Sequence, residues 1–331
     1  MDQSRTKDPS YFIGVDLGGT KILTGVFNQQ LDCVGWSKKR TKPENGPEFV
    51  VGRILDTITE AVALSGLGLD AISAIGIGSP GSIDRETGVV KYASNLGWYN
   101  VNLASQIQAA INKPVVVDND CNCCVVGVHA KEFNSKAKNL IGIFIGTGIG
   151  CGIIIDGKLY SGSHGFAGEV GHIVLDDKGP VCSCGRHGCF EAYASRNAII
   201  NRITSEIKNG HASIIEALGK KDISNLKSGD IKKAIKFGDQ LVKNIVEDAA
   251  RVTGLVIANL INIFDPEAVV LGGGVIHALH DVMMPLIVKT ARDYLFKGFP
   301  AKVDIMASNL GDMAGITGAA AIAMASKGSK S

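Results

Sequence analysis

Tyr11-Phe12-Ile13-Gly14-Val15-Asp16-Leu17-Gly18-Gly19-Thr20-Lys21 is the stretch on which the fold of this chain is read. A short apolar run ends in an aspartate and a glycine turn, and residues 22–27 then read as a second strand, so the glycines join two strands. A third strand over residues 31–37 completes a meander. The same order returns further on, with a strand over residues 140–145, the turn Gly146-Thr147-Gly148-Ile149-Gly150, and a strand over residues 151–155 followed by the hairpin signal Asp156-Gly157. Each repeat is followed by helices alternating with strands. The first half carries a helix over 49–64, a strand over 71–77, a helix over 103–111 and a buried strand over 114–117. The second carries a long helix over 240–264 stopped by Pro266, a strand over 268–271 before Gly272-Gly273-Gly274, and a last strand near 303–306. Residues 313–325 form a helix rich in Ala and Gly, suited to close packing. The pattern is a duplicated α/β design with a cleft between its halves.

With 331 residues, the chain is long enough for about two domains. Hydrophobic residues at 45% and charged residues at 20% exclude a disordered or fibrous chain. A net charge of +2 gives no reason to expect nucleic acid or an anionic membrane as partner. The start Met1-Asp2-Gln3-Ser4-Arg5-Thr6-Lys7 has no apolar segment behind it, so the eight cysteines read as a metal site plus reduced thiols in a cytoplasmic protein. The most apolar long segment, residues 254–264, is interrupted by Asn259 and Asn262 and is too short to span a bilayer, so a soluble protein is expected.

Between the second repeat and the long helix lies the densest chemistry. Cys182-Ser183-Cys184-Gly185-Arg186-His187-Gly188-Cys189-Phe190-Glu191 follows Gly168-Glu169-Val170-Gly171-His172, which puts three cysteines and a histidine within eighteen residues. Three thiolates and an imidazole suit tetrahedral zinc, and Gly179-Pro180, Gly185 and Gly188 supply turns for a loop wrapped on one ion. Unliganded cysteines are often small core residues, but this run has too few large apolar neighbours to make a core. Four protein ligands leave no open position, so the zinc is structural.

Three glycine turns, Gly18-Gly19-Thr20-Lys21, Gly146-Thr147-Gly148 and Gly272-Gly273-Gly274, bring backbone amides where phosphate oxygens can be cradled, with Thr20, Lys21 and Thr147 as further donors. None fits the dinucleotide or Walker pattern. In Asp118-Asn119-Asp120, Asp118 or Asn119 caps the next helix and Asp120 is the better general base, while the Asn119 amide fixes a substrate hydroxyl. Asp16 has two readings of equal weight, a turn residue or a carboxylate assisting Mg²⁺ through water. Asn95-Leu96-Gly97-Trp98 offers an amide and an aromatic face suited to a sugar edge, although Trp98 reads first as a packing residue. The remaining histidines show no partner pattern.

Taken in order with Gly78-Ser79-Pro80-Gly81 and Leu310-Gly311-Asp312-Met313-Ala314-Gly315, these motifs resemble the ROK family of bacterial sugar kinases and repressors, over nearly the whole chain. The resemblance implies an actin-like, ribonuclease H-like, hexokinase-type pair of lobes, a smaller one over 1–118 with the helix of 313–331 packing back on it and a larger one over 119–312. It implies Asp120 as base; Gly81, Asn95, Asn119, Glu169, His172 and Glu191 as sugar contacts; and Asp16, Gly18, Gly19, Thr20, Lys21, Gly146, Thr147, Gly148, Gly272, Gly273 and Gly274 around ATP with Mg²⁺. His172, Cys182, Cys184 and Cys189 would hold Zn²⁺, with one imidazole nitrogen on the metal and the other on the sugar. The function implied is ATP-dependent phosphorylation of a hexose, foremost glucose at its 6-hydroxyl, by a homodimer or higher homo-oligomer. N-acetylmannosamine is the competing sugar, and polyphosphate or ADP are competing donors. A sugar-sensing repressor is disfavoured because only about ten residues precede the first strand. The chain departs from the family pattern at Val128, Phe144 and Arg196, and Arg196, close in sequence to Glu191, puts the pocket edge in question.

Overall fold

The computed structural model describes residues 10–217, 223–299 and 303–328. The polar start at residues 1–7 and the last three residues of the helix expected over 313–331 lie outside them. In chain order the elements are β1 (Tyr11–Leu17), β2 (Lys21–Phe27), β3 (Cys33–Arg40), α1 (Pro47–Ser65), β4 (Ile72–Ser79), β5 (Ser82–Asp84), β6 (Val89–Ala93), β7 (Trp98–Val101), α2 (Leu103–Ile111), β8 (Val115–Asn119) and α3 (Asp120–Lys131). They continue as β9 (Leu140–Ile145), β10 (Ile149–Ile155), β11 (Lys158–Leu159), α4 (Glu191–Ala194), α5 (Arg196–Lys208), α6 (Ile214–Ala217), α7 (Ser228–Lys236), α8 (Gln240–Phe264), β12 (Ala268–Gly272), α9 (Gly273–Asp293), β13 (Asp304–Ala307) and α10 (Met313–Gly328).

Two five-stranded sheets carry the duplication. The first has the order β3-β2-β1-β4-β8 and the second β11-β10-β9-β12-β13. In the first, β1 is antiparallel to β2 and parallel to β4, which is parallel to β8. In the second, β12 is parallel to both β9 and β13. Each is a meander extended by two parallel strands, the topology expected from the repeated strand, turn and strand. A third sheet, β5-β6-β7, is small and antiparallel.

The chain divides into two compact units, one of residues 1–137, 152–167 and 312–331, the other of residues 138–151 and 168–311. The division expected at 118/119 therefore falls later, because α3 packs on α10 and β4 and groups with the first unit. In that unit β1 is buried on both faces, so it reads as a continuous apolar run. Ile13, Val15 and Leu17 join Ile54, Ile58 and Ile75 in one cluster, while Phe12 lies with Leu23, Phe27, Ile316 and Ala320 in another. Trp98 is fully buried in the first cluster, so it packs and offers no stacking face.

The Ala- and Gly-rich α10 docks on β1, β4 and α3 by backbone contact. A Cβ added at Gly14 would lie 1.8 Å from the Ile316 carbonyl oxygen, one at Gly76 1.9 Å from that of Ala319, and one at Gly318 1.6 Å from that of Cys123. In the second unit α8 packs on α9. The sequence pattern did not reveal α9: Gly272 closes β12, and Gly273 and Gly274 open a helix where a turn was expected. Among the described residues no helix is long and apolar enough to cross a membrane.

Gly318→Val places carbon against the Cys123 carbonyl, where only backbone movement can relieve it. We expect a loss of at least about 3 kcal/mol in urea unfolding.

Candidate active site and metal centre

In the first unit, β8 runs directly into α3, and the junction carries the proposed base. Asn119 is the N-cap: its Oδ1 accepts the backbone N–H of Cys121 at 2.9 Å and of Asn122 at 3.2 Å, while its Nδ2 donates to the Gly81 carbonyl at 3.4 Å. The capping role left open between Asp118 and Asn119 thus belongs to Asn119. Asp120 is the first helical residue, with Oδ1 2.9 Å from the Cys121 nitrogen. Asp118 is buried, and its Oδ1 accepts from the Asn119 N–H at 2.8 Å and from Asn122 Nδ2 at 2.9 Å.

Asp16 belongs to β1, paired with Leu23 and Gly78, so it is a strand residue and the turn reading is corrected. Burial first, then the negative charge of Asp120, pushes its carboxyl up to about 7, with Lys21 opposing and Asp312 adding to the rise. The Gly18-Gly19 turn closes through a Gly18 N–H to Lys21 carbonyl bond of 2.9 Å and abuts Asn95, whose carbonyl oxygen lies 3.2 Å from where a Gly19 Cβ would be. Thr20 and Asn95 are exposed. Lys21 is held by a carboxylate that the sequence reading missed: its Nζ lies 2.6 Å from Asp312 Oδ1, and Lys38 Nζ lies 3.3 Å from Asp312 Oδ2. A cavity of about 590 Å³ in this unit, lined by Glu86, Thr87, Gln108 and Asn112 among others, contains none of the expected site residues.

In the second unit the cysteine loop folds as two short bridges, Val174 to Cys189 and Val181 to His187. Gly188 takes φ 68°, and a Cβ there would lie 1.5 Å from the Asp176 carbonyl oxygen, so only glycine fits. The loop gathers one ligand atom each from His172, Cys182, Cys184 and Cys189 within 4.8 Å of one another. Cys182 Sγ lies 3.7 Å from His172 Nδ1, and Cys184 Sγ 3.7 Å from Cys189 Sγ. Metal–sulfur bonds of about 2.3 Å at tetrahedral angles put sulfurs about 3.8 Å apart, so the spacing fits one ion. The Arg186 backbone N–H lowers the Cys184 thiol to about 6 against the effect of burial, whereas burial first pushes Cys189 up to about 12.

Beside this cluster, Glu191 opens α4. Its Oε2 accepts the Ile149 N–H at 2.9 Å and its Oε1 the Ser183 hydroxyl at 2.6 Å. A Cβ on Gly148 would sit 2.4 Å from Glu191 Oε2, so the carboxylate occupies the space that this glycine leaves. The structure thereby joins the Gly146-to-Gly150 turn to the cysteine loop. Arg196 donates from Nη2 to the Thr147 hydroxyl and from its backbone N–H to the Gly146 carbonyl. Both partners therefore lie on the glycine turn that Glu191 also contacts. Glu169 is exposed and precedes the short turn carrying His172. Phe144 covers Gly272, with its Cδ1 2.6 Å from where a Cβ would be, and Gly273 and Gly274 form the N-terminus of the 21-residue α9.

This arrangement, a duplicated α/β chain with a carboxylate at a strand-to-helix junction and glycine turns at strand ends, defines the actin-like, hexokinase-type class. The chain belongs to the ROK family, whose model matches residues 12–326. A glucokinase of Thermotoga maritima is 36% identical over 314 residues, 94% of this chain and 96% of that protein. The crystal structure of a ROK family glucokinase from Streptomyces griseus in complex with glucose and AMPPNP is 32% identical, with a TM-score of 0.83 over 96% of this chain and 100% of that one. A xylose repressor of Caldicellulosiruptor bescii is 35% identical over 266 residues, 80% of this chain and 66% of the repressor.

Asp16 supplies a pH test. Its folded-state pKa lies above the ordinary 3.8, so protonated Asp16 favours the folded state. That contribution is complete below about pH 4 and is lost as pH rises through about 7. Asp16→Asn is therefore expected to exceed the native chain in stability at about pH 8, by about 2 kcal/mol because partial exposure screens the full shift, with the gap closing near pH 4. Urea unfolding without nucleotide at the two pH values checks this.

Proposed function

We propose that this chain transfers the γ-phosphoryl group of ATP to the 6-hydroxyl of a hexose, glucose first. The observation that carries this reading is Asp120, presented at the first turn of α3 beside the capping Asn119, in a chain that aligns with a glucokinase over 94% of its length. Asp120 takes the proton of the attacking hydroxyl, and Gly81, Asn95, Asn119, Glu169, His172 and Glu191 contact the sugar. Proton transfer by a placed carboxylate contributes about 10²- to 10⁴-fold, and the rest of phosphoryl transfer is positioning and electrostatics. The turns at Gly18-Gly19-Thr20-Lys21 and Gly146-Thr147-Gly148 and the α9 N-terminus at Gly272-Gly273-Gly274 suit phosphate oxygens. Mg²⁺ with ATP would supply charge neutralisation on the transferring group, and Asp16 would hold one of its waters.

His172, Cys182, Cys184 and Cys189 would hold Zn²⁺. The donor set and its spacing fit, and a closed four-ligand site has no position for water activation, so its task is to hold the loop. With Nδ1 turned to the cluster, His172 keeps Nε2 for a sugar hydroxyl.

A coupled assay of the purified chain with ATP against glucose, N-acetylmannosamine, fructose and mannose tests the reading, with glucose expected to give the highest kcat/KM. Asp120→Asn should lower kcat by about 10³-fold while sparing sugar binding; a variant that keeps most of its turnover removes Asp120 as base. Metal analysis should find one zinc per chain, and Cys184→Ala should lose it and raise the hexose KM before kcat changes.

A further inference from the structure

We propose that Arg85 is a positioning residue for the reaction, acting through Asp118 on the first turn of α3. The inference rests on Asp120 as base. Arg85 follows β5, in a turn where Asp84 Oδ1 accepts the N–H groups of Glu86 at 3.2 Å and Thr87 at 3.3 Å. From there Arg85 Nε reaches to 2.8 Å from Asp118 Oδ2, and its Nη1 donates to the Ser161 hydroxyl.

Asp118 is only 2% exposed. Its Oδ1 serves two donors, the Asn119 N–H and Asn122 Nδ2, so one carboxylate oxygen ties the last residues of β8 to the first turn of α3. Asp118 Oδ2 has no aligned hydrogen bond, and the guanidinium of Arg85 compensates its charge as a close ion pair. A carboxylate buried this deeply without a compensating charge is costly, and it relieves the cost by taking a proton or turning toward water. Either change disturbs the two bonds on Oδ1. These bonds set the peptide plane of Asn119 and the side chain of Asn122, between which Asp120 sits.

Arg85 contacts Asp118 and Ser161, and its neighbours in sequence carry no recognised chemistry. Its role comes from charge compensation at one remove. Geometry at a reacting hydroxyl tolerates little error, so a small rotation of the first turn of α3 is read in turnover.

The test uses the full chain with four variants, Arg85→Gln, Arg85→Lys, Asp118→Asn and the double variant of Arg85→Gln with Asp118→Asn, and reads kcat, both KM values and the unfolding midpoint. Arg85→Gln is expected to lose at least about tenfold in kcat with the ATP KM within about twofold of native. Arg85→Lys should recover part of the loss, because an ammonium still compensates Asp118. The double variant should recover more, because the side-chain amide that Asp118→Asn introduces accepts the Asn119 N–H without a charge to balance. A residue with a merely structural role would lower the midpoint and leave kcat per folded molecule alone. Should Arg85→Gln fail to fold, the comparison of Arg85→Lys and the double variant with Asp118→Asn decides: native-like kcat in the double variant supports the proposal, and a kcat no better than about a tenth of Asp118→Asn overturns it. Native-like kcat in Arg85→Gln, with Asp120→Asn inactive, overturns this proposal alone. Turnover retained in Asp120→Asn overturns the base assignment and this proposal with it.

Discussion

The close backbone approach of α10 is the constraint on which the first unit depends. Gly14 and Gly76 on the central strands, Gly127 on α3 and Gly318 on α10 itself each leave the space that a neighbouring carbonyl fills. A helix so poor in large side chains gains little from burying them, and its attraction comes from many short contacts made possible by that proximity. The docking also brings charged groups together. Gly315 on α10 stands where a Cβ would come 3.1 Å from Asp16 Cγ, and Asp312, just before α10, pairs with Lys21. The carboxylates near the end of β1 are thus brought together by the far end of the chain.

The second unit solves a different problem. Residues 173–188 are mostly exposed and cannot hold themselves by apolar burial. A pair of bridges runs through them, and His172, Cys182, Cys184 and Cys189 gather one ligand atom each within 4.8 Å of one another. A loop held in this way can present polar groups that a hydrophobic core would reject.

Much of this was legible from residue order. Strands buried on both faces announce themselves as apolar runs, and a strand, glycine turn and strand met twice gives away the duplication. The third glycine run hid a helix because Gly272-Gly273-Gly274 has the composition of a turn, and the helix that follows is kinked at Leu279 and carries Pro285 inside. The cap before α3 was legible to within one residue, Asp118 or Asn119, because capping is local. Arg85, Ser183 and Asp312 were not, since their worth lies in partners that only folding brings near, Asp118, Glu191 and Lys21. Trp98 offered two readings to sequence, and its complete burial settles it as packing.

Glu191 ties two segments of the second unit together. One carboxylate oxygen caps the amide of Ile149 in the glycine turn, and the other takes the hydroxyl of Ser183 from the cysteine loop. A further donor that engages this carboxylate must share an oxygen with one of them or displace it. A change that draws one oxygen away from its donor therefore bears on the other, so the glycine turn and the cysteine loop are coupled through a single side chain.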